Sequence, residues 1–465
     1  MINPLHNQFA PDSIESRDLE SVFHPCTNLA DLHQRGPAVR NRAEGVYIWD
    51  NQGRQYLEGM AGLWCTALGY GVQELADVAY EQMKKLSYSQ LFASVTNEPS
   101  VLLAEKLMSI VPIEAGRVFF GLSGSDANDT QIKLMWHYHN LIGKPERKKI
   151  ISRNNGYHGV TIGSGSLTGL PPFHQNFDLP MQGVVHASAP YYYRNANEDE
   201  SEEEFATRLA NELEEIIQSE GPETIAAFIA EPVMGAGGVI VPTVDYYEKI
   251  QRVLNKYGIL FIDDEVICGF GRTGNPFGCQ TMKIEPTTMT FAKALSSAYL
   301  PISGVVVPEW LYEPIHEATK DSQLFGHGFT YSGHPVCAAV ALRNLELMDE
   351  WNVFERAAQT SVGLQEQLNL LESHPLVGDV RGVGMIGAVE LVKNKTTKEA
   401  FAREEGVGAY CMNQCAEHGL IVRAIGNVVA ICPPLIISDQ QVDELFSKIA
   451  KGLDDTWSWV RNRAT

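Results

Sequence analysis

Short apolar runs alternate with longer amphipathic stretches through the middle of the chain. RVFF (117–120), KKIIS (148–152), VVHA (184–187), TIAAFIAEP (224–232), ILFID (259–263), TMTF (288–291) and GVVV (304–307) read as strands. Runs of this length bounded by turn residues suit strands buried on both faces. Between them the spacing predicts helices from near Gly124 through IKLMWHYHNLIG, over 203–219 and over 244–257. Residues 155–172 read as a Gly-rich loop, and the acidic run Glu198–Glu204 as a solvated loop or helix start. Strand and helix alternate from about 115 to about 310, which predicts a mainly parallel, doubly wound α/β sheet. After Gly333 the pattern changes. Helices at 335–349, 354–372 and near 406–418 mix with the apolar runs GMIGAVELV, GLIVRAI and NVVAICPPLII, and a last helix begins at Ser438. This predicts a smaller α+β domain.

Composition narrows the classes of function. The 465 residues are 44% apolar, enough for a large core and more than one domain. Lys and Arg number 36 against 57 acids, a formal charge of −21. Such a surface repels phosphate backbones, so nucleic acid is not an expected partner, although small anions can bind in local pockets. MINPLHNQFAPDSIESRD has neither a basic n-region nor an apolar h-region. No run approaches the ~18–20 apolar residues of a membrane span. The expectation is a soluble cytoplasmic protein with no membrane partner. The eight cysteines form no C-x-x-C pair; Cys411 and Cys415 read as buried reduced thiols on one helix face. This usage suits a reducing compartment, and no metal site is expected.

Candidate chemistry clusters at the strand ends. GFGRTG (Gly269–Gly274) fits G-x-G-x-x-G, which can mark a dinucleotide loop. Its strand lies deep in the sheet sequence, however, and NPFGCQT follows it where a helix should open, so the glycines read as a turn. Just upstream, Asp263 and Asp264 end an apolar strand. Adjacent strand residues point to opposite faces, so one of the two can face a ligand crevice; equally, both can be solvated strand-end carboxylates. Lys293 leaves TMTF into a tight, uncharged loop, poor surroundings for an ammonium and good ones for a Schiff-base amine. GLSGSDAND (121–129) opens a helix, where free N–H groups and the Ser125 hydroxyl can cradle an anion or merely form an N-cap. NNGYHG (154–159) offers an aromatic ring, AEPVMGAGG (230–238) an acid, and GLIVRAIGN (419–427) an arginine suited to a carboxylate. One ligand would use all of these groups together: pyridoxal 5′-phosphate.

With those motifs in place the chain resembles a class III (omega) aminotransferase of PLP fold type I, in the amine:pyruvate aminotransferase subgroup. The resemblance runs from GLWC (62–65) through SGSDAND, YHG, EPVMGAGGV, DEVICGFGRTG, AKALSSAYLP, HGFTYSGHP (327–335) and RGVGMIGAVEL (381–391) to the Arg423 segment. It implies a large PLP-binding domain over 66–330 and a small domain over 331–465, with the segment 1–65 packing on the small domain. By the same resemblance Lys293 carries the cofactor and Asp264 partners its pyridine nitrogen. Gly124 and Ser125 form the phosphate cup, which Thr330 of a neighbouring subunit completes. Tyr157 stacks on the ring, Val266 lies beneath it, and Glu231 sits near its O3′ side. Trp64, Phe92, Tyr157 and Arg423 line the substrate pocket, Arg423 binding the acceptor's carboxylate. The implied reaction moves an amino group from a diamine, omega-amino acid or arylalkylamine to pyruvate by a ping-pong scheme, giving an aldehyde or ketone and L-alanine. It implies a homodimer or homotetramer with the site at the subunit interface. Rival readings are 2-oxoglutarate as acceptor, a decarboxylase or aminomutase of the same fold, and an NAD-dependent oxidoreductase using GFGRTG. Two departures stand out: Asp126 is one methylene shorter than the usual Glu, and Leu122 stands where Asn is frequent.

Overall fold

The computed structural model describes residues 9–114, 116–320 and 324–464. Residues 1–8, part of the stretch read as lacking a leader, lie outside the described residues. Three short strands come first: β1 (Arg40–Glu44), β2 (Tyr47–Asp50) and β3 (Gln55–Glu58). The central sheet follows, with β4 (Arg117–Gly121), β5 (Lys149–Arg153), β6 (Val184–Ala187), β7 (Ile225–Ala230), β8 (Leu260–Asp264), β9 (Thr288–Phe291) and β10 (Ser303–Val307). Last come β11 (Val377–Val383), β12 (Ile386–Asn394), β13 (Glu399–Ala400), β14 (Leu420–Ile421), β15 (Arg423–Ile425) and β16 (Val428–Ile431).

The central sheet has the order β4-β10-β9-β8-β7-β5-β6. All neighbours pair in parallel except β10, which is antiparallel to both β4 and β9. Every residue of β7, β9 and β10 is buried, as helices covering both faces require. The carboxyl ends of β4, β5, β7, β8 and β9 therefore open on one edge, where such sheets bind ligands.

The central-sheet strands expected from the apolar runs form within two residues of their anticipated ends, whereas GLIVRAI splits into β14 and β15 and only the first part of NVVAICPPLII is strand, β16. The Gly-rich stretch 155–172 departs from the expected loop, because it holds a helix, Ile162–Leu167, and a 3-10 turn, Pro171–Phe173. IGSGSL is a poor helix by propensity. It is held by long-range bonds such as Ser164 N–H to Asp129 Oδ1 at 2.6 Å. The acidic run starts helix Glu202–Glu220 through a capping box of Ser201 and Glu204.

Beyond the central sheet, β11, β12, β16 and β15 form an antiparallel sheet, with β13 antiparallel beside β12. β14 joins β3 in parallel, so the N-terminal strands are hydrogen-bonded to the C-terminal region. Helix Pro335–Glu350 buries its apolar face on helices Gln73–Lys85 and Glu98–Ile110 and on the turn after β9. Cys411 and Cys415 are buried free thiols on helix Val407–Glu417. Among the described residues no helix is long and apolar enough to cross a membrane.

Candidate active site

A cavity of about 410 Å³ opens at the carboxyl edge of the central sheet. Of the residues singled out by sequence, Gly124, Ser125, Tyr157, Glu231, Asp264, Val266 and Lys293 line it.

Helix Gly124–Leu141 starts at its rim. Ser123 is the N-cap, and its hydroxyl accepts from Asp126 N–H at 3.2 Å while Asp126 accepts from Ser123 N–H at 3.0 Å. Asp126 also accepts from Leu122 N–H at 2.9 Å and from the Ser303 hydroxyl at 3.0 Å, so the shorter acid still completes the cap. Gly124 and Ser125 hold the first two helical positions, whose N–H groups have no carbonyl four residues back. They point the positive end of the helix into the cavity. The backbones pack so closely here that a Cβ on Gly159 would stand 2.7 Å from Ser125 Oγ, and one on Gly124 3.1 Å from both methyls of Val266.

Asp264 ends β8 with its side chain toward the cavity. Its Oδ2 accepts from Asn128 Nδ2 at 2.7 Å and from His158 Nδ1 at 2.8 Å, and its Oδ1 from Val266 N–H at 3.1 Å. Asp263 points the opposite way, fully buried beside Glu265 and Cys279. Burial and the neighbouring Glu265 hold its carboxyl well above the usual range. Alternation along one strand thus separates two carboxyls that look interchangeable in sequence. Asn128 and His158 escaped the sequence reading. Asn128 lies one turn beyond Gly124, on the same helix face, and that spacing was the available signal. His158 gave none beyond its place next to Tyr157.

Lys293 follows β9 in the left-handed region, at φ 47°. Burial lowers its amine pKa, while nearby Asp264, Cys65 and Glu231 oppose that pull. Glu231 is buried, accepting from Tyr157 N–H at 2.9 Å and Gly235 N–H at 3.1 Å, and burial raises its carboxyl. The Tyr157 ring packs edge-on against Phe173, 5.4 Å between centroids.

The remaining candidates lie elsewhere. Trp64 is buried among Met60, Val233 and Ile267, and its neighbours Leu63 and Cys65 reach the cavity instead. Positive φ at Ala61, Gly62 and Trp64 turns the chain so that Trp64 faces inward. Arg423 is half-buried at the start of β15, close enough to Tyr157 to act on its phenol. Among the described residues it has no carboxylate partner. Phe92 and Thr330 sit together on an exposed patch outside this chain's cavity, where Tyr88 Oη donates to Thr330 O at 2.8 Å. The GFGRTG turn leads to no phosphate cradle. Gly271 and Gly274 have φ 97° and 91°, and buried Arg272 donates to Met385 O and Pro433 O at 2.9 and 2.6 Å.

The model of the family "Aminotransferase class-III" matches residues 30–453. A protein named gamma aminobutyrate transaminase 3, chloroplastic, from Solanum lycopersicum is 47% identical over 95% of this chain and 85% of its own. A putrescine–pyruvate aminotransferase of Pseudomonas aeruginosa is 46% identical over 93% of this chain and 94% of its own. The omega transaminase from Pseudomonas jessenii, solved in complex with PMP, superposes with a TM-score of 0.95 at 49% identity, covering 96% of this chain and 99% of that one.

Proposed function

This chain belongs to the class-III aminotransferases, and we propose that it passes the amino group of a primary amine to pyruvate, giving alanine and an aldehyde or ketone. The observation that carries the reading is the convergence of Lys293, Asp264 and the open helix start at Gly124 on one cavity.

Enzymes of this family use pyridoxal 5′-phosphate, and the cavity's own residues fit that group. Glycines at 124 and 159 let the helix start and the loop at 159 pack against Val266 and Ser125, and both glycines line the open cavity. Beside that space stand two N–H groups and a hydroxyl for a phosphate, a tethered carboxylate for a ring nitrogen and an amine for an aldehyde. In this reading Gly124 and Ser125 would hold the phosphate, Tyr157 and Val266 the ring faces, Glu231 the O3′ side, Asp264 the ring nitrogen and Lys293 the aldehyde carbon. When bound, the cofactor supplies a carbon that takes up the amino group and a ring that draws electrons from it.

The chain's own groups do the rest. Lys293 Nζ moves the proton: burial favours its neutral form, which accepts from the donor carbon and later gives the proton back. Asp264, fixed by three donors, would face the ring nitrogen. Among the described residues Arg423 has no competing carboxylate, and in this reading it binds that of pyruvate. Donor and acceptor use the same cavity in turn, a ping-pong order.

The donor reading covers diamines and omega-amino acids, since relatives named for putrescine and for gamma-aminobutyrate are similarly close. The test is a panel of putrescine and gamma-aminobutyrate against pyruvate and 2-oxoglutarate, measuring alanine and glutamate. Alanine from pyruvate is expected, with turnover reduced by about 10²–10⁴-fold or more in Lys293→Ala. Glutamate as the main product would move the acceptor to 2-oxoglutarate. Normal turnover in Lys293→Ala would overturn the site.

A further inference from the structure

Glu58 ends β3 at 1% exposure, close to the cavity but not on it. Its Oε1 accepts from Met60 N–H at 2.8 Å and its Oε2 from Tyr70 Oη at 3.3 Å. Gly62 N–H also reaches the carboxylate. These donors belong to, or pack on, the turn that follows. Within that turn Ala61, Gly62 and Trp64 have φ 45°, 65° and 64°, two of them residues with a Cβ in the left-handed region. A Cβ on Gly62 would lie 3.3 Å from Tyr70 Oη and 3.5 Å from Cys65 Sγ. The turn is therefore boxed between Glu58, Tyr70 and its own exit, and it delivers Leu63 and Cys65 to the cavity wall. Such a backbone persists only where its surroundings over-determine it, and the carboxylate is the group that gathers its N–H donors.

We propose that Glu58 is a positioning residue whose carboxylate locks the strained turn Ala61–Cys65 and so sets the fit of the amine donor against the Leu63–Cys65 wall. The inference rests on the aminotransferase reading of that cavity.

The geometry makes the lock sensitive to ionisation. The carboxylate accepts from Met60 N–H and Tyr70 Oη; protonated, one oxygen becomes a donor and a bond is lost. Burial lifts the Glu58 carboxyl to about 7, against the pull of the Met60, Gly62 and Tyr70 bonds. The other titratable or charged groups facing it are Arg40 on β1, Cys65 in the turn and Cys432 after β16. The lock tightens as pH rises through that value.

Glu58→Gln mimics the protonated form at every pH. The experiment measures donor KM and kcat for wild type and Glu58→Gln from pH 6 to 8.5, with the holoenzyme's cofactor absorbance as the check on folding and loading. The ratio of donor KM, variant over wild type, is expected to rise across the range to about tenfold, the scale of one hydrogen bond to a charged group. The loss falls on KM more than on kcat. Tyr70→Phe removes a donor to the carboxylate, so its own KM step should move to higher pH. That variant decides the question alone should Glu58→Gln not fold. A KM ratio flat with pH, or a step unmoved in Tyr70→Phe, overturns the proposal while leaving the enzyme reading intact. A wild type that transaminates no amine would sink that reading, and this inference with it.

Discussion

His139 shows how a single side chain couples this fold to pH. It lies inside helix Gly124–Leu141, 2% exposed, with Nε2 on Ala226 O at 3.2 Å and Nδ1 without a partner. Burial lowers its pKa to about 4 from the ordinary 6.5. The native state therefore holds the imidazole neutral, while the unfolded chain takes a proton below about 6.5. The unfolded state binds more protons in that window, so stability falls as pH drops from about 6.5 through about 4. At pH 5 the loss from this group is about 2 kcal/mol. His139→Gln should remove it, and unfolding curves at pH 7 and pH 5 would then differ by that much less than in wild type. An unchanged difference would show that His139 is not the acid-sensitive group.

At the scale of the element, the start of helix Gly124–Leu141 matters most, because the proposed phosphate cup is its first turn. Asp126 fastens that turn to β4 and β10 through Leu122 N–H, Ser123 N–H and Ser303 Oγ. Asp126→Ala should lower stability by about 1–2 kcal/mol, the size of a lost cap. It should also speed loss of cofactor absorbance on dialysis, and retention equal to wild type would count against the cup. This element was readable in advance because caps and amphipathic spacing are local. The strands were readable too, since burial on both faces leaves unbroken apolar runs, as in IAAFIA of β7. The antiparallel place of β10 and the helix Ile162–Leu167 were not readable: strand direction and a helix of IGSGSL depend on distant partners such as Asp129.

Across the whole molecule, two ends of the chain meet where β3 pairs with β14, and the segment after Gly326 is pinned to residues 88–100 by Asn97 and Ser100 on Gly333 O. The pinned patch exposes Tyr88, Phe92 and Tyr331 along with Thr330. We infer that a second copy covers it and receives Thr330 at its own phosphate cup. Lys293→Ala and Thr330→Glu should each be inactive alone. Co-expressed, they should regain about a quarter of wild-type activity, because random pairing makes half the dimers mixed and each mixed dimer has one intact site. Mixtures that stay inactive would refute a shared site.

By itself the sequence determined most of the strands and helices, the inventory of groups at the strand ends and, through its motifs, the family. Alternation, a local rule, put Asp263 and Asp264 on opposite faces, and the resemblance of DEVICG, not the alternation, pointed to Asp264. Only the tertiary structure decided which side chains act on Asp264. Asn128 and His158 stand 136 and 106 residues from it in the chain, and no local period encodes such a meeting. It also decided that Trp64 faces the core while Leu63 and Cys65 face the cavity, since a run of positive φ overrides any periodicity. That run is held in place by Glu58 and Tyr70, and it is their packing, settled by β3 meeting the C-terminal strands, that makes the turn affordable.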